Sequence, residues 1–135
     1  MSGFTTLRST DGAPINNVNG SVLQSAVRTA TTNSATFVNL SAKRAHIIID
    51  VTVAPGGDTV TPKIEGYDPI SGKFYTLLTG AAISTTGTNV LKIGPGLPAS
   101  ANVSAADFLP ANWRVVMTHS AGTSFTYSVA ANLGI

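Results

Sequence analysis

His46-Ile47-Ile48-Ile49-Asp50-Val51-Thr52-Val53 decides the fold class of this chain. Ile47, Ile49, Val51 and Val53 share one face, and His46, Ile48, Asp50 and Thr52 share the other. Alternation with period two, in residues mostly branched at Cβ, is the pattern of a strand with one buried face. Pro55-Gly56-Gly57-Asp58 then turns the chain. Residues 59–67 give a second strand, with Val60 and Ile64 on one face and Lys63 and Glu65 on the other. Pro62 interrupts its donors, which predicts a sheet edge or a bulge there. Asp68-Pro69-Ile70-Ser71-Gly72-Lys73 reads as a hairpin loop, and Phe74-Tyr75-Thr76-Leu77-Leu78 as the return strand. Together the three predict an antiparallel meander.

The same reading extends outward. Asn89-Val90-Leu91-Lys92-Ile93 is a further strand. Residues 94–107 are rich in Gly, Pro, Ala and Ser and read as a long loop, a length often tied to function. Residues 113–119 and 125–130 suggest a final hairpin, with Trp113, Val115 and Met117 facing Phe125, Tyr127 and Val129. Upstream, residues 26–31 and 35–38 are weaker strands. Residues 1–24 read as an extended arm with spaced apolar anchors. Seven or eight short strands at about ten-residue spacing predict an all-β fold, a two-sheet antiparallel β-sandwich or jelly roll. The expected organisation is an N-terminal arm over 1–24 and one domain over 25–135. The expected core is Ile47, Ile49, Val51, Ile64, Phe74, Trp113, Val115, Phe125, Tyr127 and Val129.

Composition narrows the function classes. Charged residues are 10% of the 135, against roughly 25% in an ordinary soluble domain. Such a surface gains little charge repulsion and suits one covered by copies of itself or by a larger assembly. With no Cys there is no disulfide or thiolate site. The basic residues are scattered, so nucleic acid is not an expected partner. No apolar run approaches the ~20 residues of a membrane-spanning helix. The opening lacks the apolar core of a secretory signal, so synthesis in a cytoplasm is expected.

Candidate chemistry is thin. His119-Ser120 adjoins a turn, and His46 and Asp50 share a strand face, but no nucleophile-elbow motif accompanies them. The six acids form no calcium-loop pattern. Gly94-Pro95-Gly96 lacks the lysine and helix of a phosphate loop. Tyr67 and Tyr75 could face a sugar, whereas Trp113 alternates with core residues. The expectation is no catalysis, no cofactor and no metal.

The phrases I-I-I-D-V-T (47–52), G-Y-D-P-I-S-G-K-F-Y-T-L-L (66–78), D-F-L-P-A-N-W-R-V-V-M-T-H (107–119) and S-F-T-Y-S-V-A (124–130) resemble small head proteins of tailed bacteriophages. The resemblance implies a capsid decoration, or cement, protein. Such a protein would sit on the outside of the head, brace adjacent capsomers, and have the major capsid protein and its own copies, as dimer or trimer, for partners. Contact residues are expected in the arm (Phe4, Leu7, Arg8, Ile15, Val18) and the long loop (Leu97, Val103). The alternative is a tail or baseplate component, including a receptor- or carbohydrate-binding tip.

Overall fold

The computed structural model describes residues 17–135. Among them are ten strands and no helix: β1 (Asn17–Arg28), β2 (Thr32–Asn33), β3 (Phe37–Val38), β4 (Arg44–Val53), β5 (Val60–Asp68), β6 (Lys73–Thr79), β7 (Gly87–Ile93), β8 (Ser104–Ala105), β9 (Asn112–His119) and β10 (Phe125–Gly134). The first sheet has the order β1-β10-β4-β7-β8. The second has the order β2-β9-β5-β6, with β3 also on β9. All pairs are antiparallel except β7 with β8.

The pairing has a simple plan. β1 meets β10, β2 and β3 meet β9, β4 meets β7, and β5 meets β6. The first half of the chain thus runs against the second as one long ribbon. The ribbon is wrapped so that alternate pairs fall in opposite sheets, which is jelly-roll connectivity.

The core lies between the sheets. Every second residue from Ala45 to Val51 is buried, as are Phe125, Tyr127, Val129, Ala131 and Leu133 of β10. Val60 and Ile64 of β5 and Trp113, Val115 and Met117 of β9 close the other side. Of the expected core, only Phe74 is misplaced. It is half-buried on the outer face of the second sheet, because it pairs with outward-facing Tyr67.

Several expected pairings are corrected. β4 and β5 do not form a meander. Both neighbours of β4 are already taken, by β10 and β7, so the turn at 55–58 carries the chain across to the other sheet. The expected final hairpin is a second such crossing, since β9 and β10 lie in different sheets. Their apolar faces meet through the core instead. β5–β6 is the one true hairpin among the described strands. Asp68 shapes its turn by accepting from Ile70 N (3.0 Å) and Ser71 Oγ (2.7 Å), while Gly72 takes a φ of 72°.

Two bulges explain apolar residues that break the alternation. Tyr127 pairs with Val51 and Thr126 with Val53, so Thr52 is extra and Val53 turns outward. Leu77 is extra between the Ile64–Leu78 and Glu65–Thr76 pairs, which lets both leucines turn toward the core. Pro62 is neither at an edge nor in a bulge. It lies one residue beyond the last β5–β6 ladder pair, Lys63–Thr79, so its missing donor falls where β6 has ended. Its carbonyl still accepts from Gly80 N at 2.8 Å.

Candidate interaction surface

The expected contact residues fall in three places. Phe4, Leu7, Arg8 and Ile15 lie outside the described residues. Val18 is in β1 opposite Leu133 and packs, half-buried, against the core. Residues 17–24 of the expected arm belong to β1, so the strand crosses the boundary set at residue 24. Leu97 is half-buried and Val103 is 47% exposed. Both sit in the 94–107 connection, which is held down rather than loose. Lys92 N donates to Val103 O (2.9 Å), Gly94 N to Ala105 O (3.2 Å) and Ser104 Oγ to Pro98 O (2.7 Å). The sheet order puts this connection and β1 at opposite edges of the first sheet.

Among the described residues, β1 has a strand on one side only. Residues 17–21 pair one-to-one with β10, and register shifts follow at Ser21/Leu23 and Leu23/Ala26. Arg28, the only charge in β1, covers the shifted part. Its guanidinium donates to Gln24 O (2.6 Å), Tyr127 O (2.8 Å) and Ala26 O (3.4 Å), 4.7 Å over the Tyr127 ring. On the outer face beside residues 17–21, Asn19, Asn132, His46 and Lys92 form one rung across four strands. An open cleft of about 400 Å³ is lined by this face, with Arg44 at its rim. Arg44 is fixed by donating to Ile135 O at 2.8 Å.

The outer face of the second sheet carries a feature that the sequence reading did not anticipate as a unit. Glu65, 7% exposed, accepts from Arg114 Nε at 2.8 Å and pairs with Lys63 Nζ at 3.1 Å. Burial pushes its carboxyl up, but the Arg114 and Lys63 contacts together outweigh this and hold it below the ordinary value of 4.5. The Arg114 guanidinium lies 3.4 Å over Phe74, which in turn packs on Tyr67. Tyr75 points to the other face, over Gly66, where a side chain would collide with its ring. The two tyrosines therefore do not make one sugar platform.

The candidate catalytic residues are dispersed. His46 and Asp50 are on the first sheet, and Asp50 accepts from Thr88 Oγ1 at 3.3 Å. Ser120 Oγ, beyond β9 of the second sheet, accepts from Thr59 N at 2.9 Å. Among the described residues no three His, Asp or Glu side chains gather as a metal site. His119 instead packs between Phe125 and Tyr127, with Nε2 2.9 Å from the Tyr127 hydroxyl. Its Nδ1 is buried and has no hydrogen-bond partner among the described residues.

Burial, and then the nearby Arg28 charge, lower the His119 pKa from 6.5. The unfolded chain takes the proton first, so this stability is complete above 6.5 and is lost as pH falls through the lower folded value. Melting temperature should therefore decline from pH 6.5 downward, before the Glu65 pairs are lost at more acid pH. His119→Gln should flatten the first part of that decline. Matching pH profiles for the variant and the parent would disprove the assignment.

No family model matches this chain. No curated protein matches it either. Among solved structures, it is similar to a chain in the structure of infectious bursal disease virus, Gx strain, with a TM-score of 0.51 and 10% identity. The match covers 89% of this chain and 32% of the other, so this chain spans about a third of that one's length. At that identity the likeness speaks for the fold, and it agrees with the two-sheet architecture.

Proposed function

We propose that this protein is a structural component of a virion. It is a decoration protein that binds the outside of a tailed-phage head as a symmetric homo-oligomer, touches the major capsid protein and braces adjacent capsomers. It is made in the host cytoplasm and does no chemistry. The observation that carries the reading is the jelly roll itself, shared in outline with a chain from a virus structure. Three features support it. The surface is poor in charge. β1, where the described residues begin, is at one edge of the first sheet, and the tied-down 94–107 connection occupies the other. Two contact regions on opposite edges suit a protein that bridges two neighbours, where many modest contacts add through multivalency.

The test is to add purified protein to heads that lack it and to measure occupancy. Intact protein should bind, with weak dependence on salt because few charges are available. A version lacking residues 2–16 should bind less, as should one carrying Leu97→Asp and Val103→Asp. The truncation stops at residue 16 because removing residues 17–24 would take two-thirds of β1 away. Failure of the intact protein to bind heads, with its presence in tails, would move the assignment to a tail or baseplate component.

A further inference from the structure

We propose that the free edge of β1 is where two copies meet. Residues 17–21 of each pair antiparallel about a two-fold axis at Asn19, which joins the two first sheets into one. The proposal rests on the self-association half of the function above and does not need the virion half.

An exposed edge strand offers unpaired N–H and C=O groups to any passing strand, and proteins protect such edges with short strands, bulges, charge or proline. Among the described residues the other edges are protected, except the side of β7 before Lys92, which β8 does not reach. β2, β3 and β8 have two residues each, and β6 carries the Leu77 bulge and begins at Lys73. The second half of β1 is also protected, by two register shifts and by the Arg28 guanidinium on its carbonyls. Residues 17–21 have none of these devices. They are in unbroken register with β10 and contain no proline and no charge. Of the two unprotected stretches, residues 17–21 have no described element beside them, whereas β8 and the 94–107 connection already occupy the continuation of the β7 side.

The occupant is a second copy because the segment is complementary to itself. With Asn19 opposite Asn19, Val18 of one copy lies opposite Gly20 of the other, and both belong to the half-buried inner row. A large side chain thus meets an empty position twice over. No like charges are brought together, and the only charge in β1 stays nine residues from the axis. A two-fold contact of this kind closes on itself and builds no fibre. The outer rung Asn19–Asn132–His46–Lys92 then runs on into its counterpart, with a cleft on each side of the axis.

The chain has no cysteine, so one introduced thiol reads the axis cleanly. Directly opposed residues of an antiparallel pair have Cα atoms about 4.5–5.5 Å apart, within disulfide range. Asn19→Cys should cross-link rapidly to a dimer under mild oxidation. Lys92→Cys, exposed on the same rung three strands away, should not. Sedimentation of the unmodified protein at micromolar concentration should give twice 13.8 kDa. Asn19→Lys, which sets like charges face to face, should weaken the dimer at least about tenfold while the β-type circular dichroism is kept. A dimer in which Asn19→Cys cross-links no faster than Lys92→Cys, or which Asn19→Lys leaves intact, would overturn the edge and leave self-association standing. A trimer would do the same. A monomer alone would overturn both.

Discussion

Trp113→Ala should cost about 3–5 kcal/mol, the range for deleting a buried aromatic side chain. Trp113 is fully buried in β9, and its ring lies 5.1 Å from that of Phe37, itself only 3% exposed. β3 has two residues and, among the described strands, pairs with β9, the strand that carries Trp113. The substitution therefore opens a cavity in the core directly beside this short strand. Domains of this size are stable by about 5–15 kcal/mol, so a third or more of the total is at stake. Urea unfolding followed by circular dichroism measures it, and a loss under about 1 kcal/mol would mean that the ring does not anchor this edge.

The second large effect is a contrast within one strand. Ile49 is fully buried, between Val129 of β10 and Asn89 of β7, and faces the second sheet. Ile48, the next residue, is half-buried on the outside, between Ala130 and Val90. Ile49→Ala should cost about 2–5 kcal/mol, and Ile48→Ala less than about 1 kcal/mol. Equal losses would refute the face assignment of β4. An Ile48 effect that grows with protein concentration would instead place the outer face in a contact between copies.

Alternation told which way side chains point, and it was right for Ile47, Ile49, Val51, Trp113 and Tyr127 because burial on one face imposes period two. It could not tell which strand lies beside which. The turns at 55–58 and 120–124 look like hairpin turns, yet both cross the sandwich, because the partner of each strand is set by the wrapped ribbon and lies far away in sequence. The bulges at Thr52 and Leu77 leave no local signature, since one extra residue changes parity without changing composition. The Glu65 cluster was half legible, with Lys63 and Glu65 on one face. Arg114 and Phe74 arrive from other strands, so only the pairing reveals them. The free edge at residues 17–21 does have a signal, the lack of charge and proline, but that signal means nothing until β1 is known to be outermost.

The β1–β10 pairing governs how a nascent chain becomes a protein. β1 is the first described strand to leave the ribosome and β10 the last, with about a hundred residues between them. At roughly 5–20 residues per second, β1 waits on the order of 5–20 s for its partner, with both edges open. Only the β5–β6 hairpin can close early, and non-local pairing is slow in any case. The β1 edge of the first sheet therefore cannot close until β10 has been made. On a polysome carrying many copies, the strand left waiting longest is the one whose free edge is most ready to take a neighbour's.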